Sequence, residues 1–198
     1  MPTTRDITAE LGAEIIVHLA RLAQSCGESG LTAAQWSALR FFHRANRLSR
    51  TPSAFSAFHA TTRGTASQTV KSLVAAGLLE RHRNEDDGRS WRFELTAAGQ
   101  QTLRRDPMAA LVRVLRALDP AERGALVATL QSVTGALSDL RSSPMFGTCG
   151  DCKHYDPSDD DAFCRCRMAV VDCDDSGALC IEFLPRKAAG DRRAAVGK

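Results

Sequence analysis

The sequence predicts a mainly helical fold that carries one small β-hairpin and ends in a separate cysteine-rich segment. Apolar residues recur every three or four positions over most of residues 7–140, a spacing typical of amphipathic helices. Residues 78–95 instead contain two strand-like runs around a polar turn with a glycine. Six of the seven cysteines lie within residues 149–180. These three observations divide the chain into a helical front part and a cysteine-rich back part.

The first two helices are predicted from their apolar spacing and from the residues at their ends. One helix is expected over residues 7–25. Thr32 is a suitable N-cap for the next helix, and Gln35 completes a capping-box pattern. That second helix should bury its aromatic face, including Trp36, and turn Arg40, Arg44 and Arg47 outward. The apolar stripe of the first helix consists of Ile7, Leu11, Ile15, Leu19 and Leu22.

Two short helices and a hairpin follow. Pro52 can open a helix over residues 53–60, and Thr62 can cap another over residues 63–76. Gly77 fits the left-handed position that ends a helix. Residues 78–82 and 91–95 then read as antiparallel strands joined by a polar turn at residues 84–88.

The last helices are separated by prolines. Thr96 is expected to cap a helix that Pro107 interrupts. The final helix, over residues 120–140, carries an apolar stripe at alternating spacings of four and three, which is typical of a coiled-coil seam. Such a stripe on a long terminal helix favours contact with a partner chain over burial within the chain. The stripe comprises Leu126, Leu130, Val133, Leu137 and Leu140.

Two short helices followed by a hairpin predict a winged helix-turn-helix. In that fold the second helix enters the DNA major groove, and the hairpin reaches the flanking minor groove. Residues 40–92 hold ten Lys and Arg against four Asp and Glu, so they could neutralise phosphates. The alternative is an ordinary solvated helix face. The residues predicted to contact DNA from this helix are Thr62, Arg63, Gly64, Thr65, Ser67, Gln68 and Lys71.

Residues 31–41, 63–99 and 118–130 resemble the MarR family of transcriptional regulators. The most specific likeness is Asp87-Gly88-Arg89 followed by Leu-Thr-Ala-Ala-Gly at residues 95–99. The resemblance implies that Asp87 braces the wing while Arg89 enters the minor groove; the alternative for this pair is a surface ion pair of little energy. It also implies a homodimer, joined by the first and last helices, that reads a pseudo-palindromic site in double-stranded DNA.

The cysteine-rich segment predicts a metal site. A C-x2-C pair places two thiolates on one turn, and both zinc and iron–sulfur sites use it. No second C-x2-C completes a zinc ribbon, so an iron–sulfur cluster is favoured, as 4Fe–4S or 2Fe–2S, over structural zinc or a thiol–disulfide switch. A loose resemblance to small iron–sulfur modules implies four ligands, with Cys166 and Cys173 as possible substitutes. The implied ligands are Cys149, Cys152, Cys164 and Cys180.

Neighbours of these cysteines, and Cys26 in the front part of the chain, have simpler expected roles. Tyr155 and Phe183 each follow a cysteine by three positions and could shield a cluster from water. His154 is expected to be an exposed polar residue rather than a zinc ligand. The acidic run at residues 159–161 lacks the spacing of a calcium loop, and Cys26 is expected to be structural.

We therefore expect three regions: a winged-helix and dimerisation domain over residues 1–141, a metal-binding segment over 142–185 and a disordered basic tail over 186–198. No run is long and apolar enough to span a membrane, and no signal peptide is evident, so a cytoplasmic protein is expected. No catalytic constellation suggests an enzyme. The predicted function is a dimeric repressor whose iron–sulfur cluster senses iron, oxygen or redox state. The alternatives are a regulator with structural zinc and a small-molecule effector, or an electron-carrier or protein-interaction module that does not bind DNA.

Overall fold

The computed structural model describes residues 7–24, 30–83, 91–157 and 162–186. The helices are α1 (Ile7–Gln24), α2 (Ala33–Arg44), α3 (Pro52–Phe58), α4 (Arg63–Ala75), α5 (Ala97–Leu103), α6 (Met108–Ala117), α7 (Pro120–Leu140) and α8 (Cys173–Ser176). The strands are β1 (Leu79–Arg83), β2 (Trp91–Leu95), β3 (Gly147–Thr148), β4 (Tyr155–Asp156), β5 (Ala162–Cys164), β6 (Ala169–Val171) and β7 (Leu179–Cys180).

The ends of the central helices are fixed by local hydrogen bonds, as predicted. The Thr32 hydroxyl accepts from the Gln35 backbone N–H at 3.2 Å, and the Gln35 side chain accepts from the Thr32 N–H at 2.8 Å. The Thr62 hydroxyl caps α4 by accepting from the Thr65 N–H at 3.1 Å. Gly77 has a φ of +69°, the left-handed conformation that stops α4. Helices α3 and α4 and strand β1 differ from their predicted bounds by one or two residues.

A winged-helix core forms where α2, α3 and α4 pack against the hairpin. Phe42 lies at its centre, with ring centroids 5.3 Å from Phe41, 5.9 Å from Phe55 and 5.9 Å from Phe93. Strands β1 and β2 pair antiparallel. The Phe93 N–H also donates to the carbonyl of Arg50 at 2.9 Å, which ties the hairpin to the loop before α3. The core therefore holds the hairpin beside α4.

The backbone before strand β1 and the start of α5 approach each other closely. The Thr96 N–H donates to the Leu78 carbonyl at 3.2 Å, and the Thr96 hydroxyl donates to the Gly77 carbonyl at 2.6 Å. A Cβ at Gly99 would overlap the Leu78 carbonyl oxygen and lie 3.1 Å from its carbonyl carbon. The glycine at this position is thus required by the approach of two backbone segments.

The break between α5 and α6 corrects one expectation. Pro107 separates the two helices as predicted. Arg40, however, does not point into solvent: its Nε and Nη2 donate to the two carboxylate oxygens of Asp106 at 2.8 and 3.0 Å. Asp106 also accepts from the Met108 N–H at 2.8 Å. This pair is formed because Asp106, 66 positions away in sequence, is brought beside α2 by the fold.

The long helices α1 and α7 keep their apolar stripes exposed in the single chain. Ile7 is 71% exposed and Leu140 is 84% exposed, and the residues between them in each stripe are also accessible. The predicted stripes are therefore available to a second molecule. None of the described helices has both the length and the apolar content to cross a membrane.

The cysteine-rich segment forms its own small folded unit. Strand β3 pairs with β7, and strands β4, β5 and β6 form an antiparallel meander. The interior of this unit is a second buried cluster, distinct from the winged-helix core. Its members are Cys149, Cys152, Cys164, Val171, Cys180 and Phe183.

Candidate nucleic-acid interface and cysteine cluster

Helix α4 presents one face to the core and the other to solvent. Ala66, Val70 and Leu73 are buried, which fixes the rotation of the helix about its axis. Ser67 is half-buried at the edge of the exposed face. The remaining sequence-predicted residues of this helix are all exposed on it: Thr62, Arg63, Gly64, Thr65, Gln68 and Lys71.

The polar residues of this face differ in how far they are already engaged. Thr62 and Thr65 hydrogen-bond to each other through their hydroxyls at 2.9 Å as part of the helix cap. Among the described residues, Arg63, Gln68 and Lys71 have no hydrogen-bonding or ionic partner. Within the part of the chain that the structure describes, Arg63, Gln68 and Lys71 could therefore bind a ligand without breaking an existing interaction.

The stem of the hairpin adds positive charge that the sequence reasoning did not single out. The guanidinium of Arg81 lies 4.5 Å from the ring centroid of Trp91, and that of Arg83 lies 5.4 Å from it. Arg83 and Trp91 are directly opposite each other in the strand pair. Arg-x-Arg on one strand across from a tryptophan was a usable signal, because alternate residues share a face. The hairpin tip, with Asp87 and Arg89, lies outside the described residues.

The structure brings together the four cysteines that the sequence resemblance implied as ligands. Cys149, Cys152, Cys164 and Cys180 are all buried in one cluster. Phe183 is buried in the same cluster, and Tyr155 packs against it. Cys166 is exposed, so it does not join this group, and the side chain of Cys173 lies outside the described residues.

Polar donors surround the sulfurs. The Asn46 side-chain amide donates to Cys149 Sγ at 3.4 Å, and the Leu184 N–H donates to Cys152 Sγ at 3.5 Å. A hydrogen bond from Cys149 lowers the pKa of Cys180 to about 6, and the backbone N–H of Glu182 adds to this effect. The same hydrogen bond and burial raise the pKa of Cys149. This hydrogen bond therefore favours the neutral form of Cys149 and the charged form of Cys180.

The described cysteines do not have the arrangement of a preformed metal site. Across residues 7–24, 30–83, 91–157 and 162–186, no three His, Cys, Asp or Glu side chains are placed so that they could hold a metal ion together. The chemistry of the donor set nevertheless fits thiolate-bound metals, since four buried cysteines lie in one apolar cluster and the sulfurs of Cys149 and Cys152 accept N–H hydrogen bonds. The iron–sulfur or zinc site stays a prediction.

The cysteine-rich unit is attached to the loop between α2 and α3, which corrects the expectation that Arg47 points into solvent. Arg47 Nη2 donates to the carbonyl of Val170 at 3.1 Å. The Asn46 N–H donates to the carbonyl of Leu179 at 2.9 Å, and the Ile181 N–H donates to the hydroxyl of Ser49 at 3.2 Å. Sequence reasoning gave no signal for this docking, because each partner is more than 100 positions away.

An open cavity of about 520 Å³ lies between the end of α3 and the linker that follows α7. Arg141 contributes a positive charge to its wall, beside the hydroxyl groups of Ser56 and Thr61. It lies next to the helix that carries the exposed α7 stripe. The predicted small-molecule effector of the zinc alternative stays untested by this geometry.

Comparison with known proteins places the fold. Residues 29–90 match the model of the MarR family. The matched range runs from the start of α2 through α4 to the hairpin, where the polar face and the basic stem lie. No curated protein sequence is significantly similar to the chain.

Solved structures show the same fold over a longer part of the chain. A MarR transcriptional regulator from Methanosarcina mazei Go1 has 18% identity and a TM-score of 0.54, covering 69% of this chain and 99% of the regulator. PcaV from Streptomyces coelicolor, solved with its natural ligand, has 21% identity and a TM-score of 0.53 over 69% of this chain and 99% of its own. SlyA has 20% identity and a TM-score of 0.51, covering 68% of this chain and 96% of SlyA.

The chain thus has the fold of MarR-type transcriptional regulators. The family match ends at residue 90, well before the cysteine-rich unit. The family match therefore gives no information about the role of the cysteine-rich unit.

Proposed function

We propose that the chain is a DNA-binding transcriptional regulator, acting as a repressor, in which α4 reads the major groove and the hairpin contacts the minor groove. The observation that carries this proposal is the exposed face of α4. Arg63, Gln68 and Lys71 stand there without partners in the described residues. The Arg81 and Arg83 side chains extend the positive charge along the hairpin stem.

The residue types on α4 suit the edges of bases and the phosphates beside them. Glutamine can hydrogen-bond an adenine through two atoms, and arginine can do so with guanine. Lys71 is suited to a phosphate, as are the hydroxyl groups at the start of the helix. A Cβ at Gly64 would meet only Thr62 Oγ1, at 3.8 Å, so the lack of a side chain there leaves room for a DNA strand to approach.

A homodimer accounts for the exposed stripes of α1 and α7. Their leucines, isoleucines and valines would leave water if the two helices packed against the same helices of a second copy. A two-fold axis between the copies would then present two α4 helices to two half-sites, which fits a pseudo-palindromic operator.

We further propose that Cys149, Cys152, Cys164 and Cys180 hold an iron–sulfur cluster, with zinc as the alternative metal. The all-sulfur donor set, its burial and the apolar cover of Phe183 support this. Such a cluster, when bound, would supply a state that changes with iron supply, oxygen or redox potential. The protein residues would supply the ligands, the N–H donors to sulfur and the exclusion of water.

Two measurements test the proposal. Protein purified without oxygen should contain iron and acid-labile sulfide and absorb visible light, and C149S and C180S should lose this signal while C166S keeps it. A colourless protein with one zinc ion per chain would refute the iron–sulfur cluster and support the structural-zinc alternative.

Binding to a labelled fragment from upstream of its own gene should weaken steeply with salt. Q68A and R89A should reduce the affinity, whereas R113A on α6 should not. Absence of binding by the metal-loaded and the stripped protein alike would refute the regulator and favour a protein-interaction or electron-carrier module.

A further inference from the structure

Asn46 and Ser49, in the loop between α2 and α3, are buried polar residues whose partners lie in the cysteine-rich unit. Asn46 is 3% exposed and Ser49 is 1% exposed. Buried polar groups are retained where they have hydrogen-bond partners. The Asn46 amide donates to Cys149 Sγ at 3.4 Å, and the Ser49 hydroxyl accepts from the Ile181 N–H at 3.2 Å.

The two residues are joined to each other as well. The Ser49 N–H donates to Asn46 Oδ1 at 2.9 Å. The oxygen of the Asn46 amide therefore binds the loop backbone, while its nitrogen binds the sulfur of Cys149. One side chain thus connects this sulfur to the backbone of the loop.

The same loop supports the hairpin, which is proposed to contact DNA, and α3, which packs against α4. The Phe93 N–H of the hairpin donates to the Arg50 carbonyl at 2.9 Å, and Arg50 Nε donates to the Ala45 carbonyl at 3.0 Å. Thr51, the next residue, caps α3 by accepting from the Ala54 N–H at 3.1 Å. A single short loop of hydrogen-bonded residues therefore connects the cysteines to the hairpin and to α3.

We propose that Asn46 and Ser49 are positioning residues for the cysteine site and that they transmit its state to the hairpin and to α3 and α4. A donor binds an ionised or metal-bound sulfur more strongly than a neutral thiol. The loop is therefore held more firmly when the sulfurs bind metal than when the site is stripped. The loop between α2 and α3 is then a conformational element that both metal binding and DNA binding affect. Coupling between the two sites requires such an element. The inference rests on the proposed function and specifies how its two halves communicate.

The chain offers a matched pair of buried serines to test this. Ser49 contacts the cysteine unit, whereas the Ser56 hydroxyl donates to the Ser53 carbonyl within α3. S49A and S56A each remove one buried hydroxyl from the same lobe. N46D keeps the oxygen that accepts from the Ser49 N–H but replaces the donor to sulfur with a carboxylate.

The full-length chain is reconstituted without oxygen, with ferrous iron and sulfide in one series and with Zn²⁺ in another. Loss of metal to excess EDTA is followed by visible absorbance or by a zinc indicator. The Kd for the labelled upstream fragment is measured for loaded and stripped protein. S49A and N46D should release metal about tenfold faster than wild type. They should also bring the ratio of the two Kd values close to one, while S56A behaves as wild type.

The DNA affinity of the stripped variants serves as the check on folding, since it should equal that of the stripped wild type. Suppose that the Kd of the wild type differs between loaded and stripped protein. If S49A and N46D then show the same rate of metal release and the same Kd ratio as the wild type, the inference is wrong and the proposed function stands. If stripped S49A or N46D has lost DNA binding, the two residues only support the fold and the inference is again wrong. If the wild type binds neither DNA nor metal, the proposed function itself fails, and no variant is needed to see this.

Discussion

Replacing Gly99 with alanine should destabilise the protein, although alanine is the better helix former. Gly99 lies in the first turn of α5, where its N–H donates to the Thr96 hydroxyl at 3.0 Å. An added methyl group would overlap the Leu78 carbonyl oxygen and lie 3.1 Å from the carbonyl carbon and 3.5 Å from Cα. All three atoms belong to the backbone, so no side-chain rotation relieves the overlap.

The magnitude follows from two opposing effects. Overpacking at a tight site costs about 1–3 kcal/mol, and a rigid backbone partner places this case at the upper end. Replacing glycine within a helix recovers about 1 kcal/mol. The net loss is about 2 kcal/mol in the free energy of unfolding, which lowers the urea midpoint by about 1 M if m is about 2 kcal/mol/M.

The assay is urea unfolding followed by far-UV circular dichroism, with all variants at one protein concentration. Gly124 in α7 provides the control, since a Cβ there would meet nothing within 4 Å. G124A should raise the midpoint, because only the helix preference changes. A midpoint for G99A equal to or above that of wild type would refute the steric reasoning.

Three further results are expected. K71Q should reduce the slope of log K against log salt for DNA binding by about one, with R113Q as the unchanged control, because one phosphate contact is lost. L137K should shift the sedimentation coefficient from that of a dimer to that of a monomer, since a charge would enter the proposed interface; an unchanged coefficient would place the interface elsewhere. Burial lowers the pKa of His59 from its ordinary value of 6.5, so the fold favours the neutral ring. The stability this provides is complete above that value and declines as the pH falls. H59Q should therefore unfold with a weaker dependence on pH between 7 and 5, and an unchanged pH dependence of the urea midpoint would contradict this.

The parts of the fold that depend on neighbours in sequence were predictable. The capping residues Thr32 and Thr62 act within three positions, and the break at Pro107 follows from the ring of the proline itself. The exposed face of α4 could be read from its apolar spacing. Each of these features depends on residues that are close to one another in the sequence.

The parts that depend on distant partners were not predictable. Arg40 and Arg47 occupy positions that helix periodicity assigns to solvent, yet the fold supplies each with an acceptor far along the chain. Asn46 and Ser49 look like ordinary loop residues until the cysteine-rich unit is placed on them. Sequence spacing also could not separate Cys164 from Cys166. A turn after β5 leaves the second of them exposed.

The ion pair between Arg40 and Asp106 affects how helices α6 and α7 are oriented relative to α2. It fixes the start of α6 against α2, at the point where the arm of α6 and α7 leaves the winged-helix lobe. Helix α7 alone is about 30 Å long. A rotation of about 5° at the start of α6 would move the far end of a helix of this length by about 3 Å, which is close to the rise of one base pair. In the proposed dimer, the two contacts between Arg40 and Asp106 would therefore affect how accurately the two winged-helix domains align along a duplex.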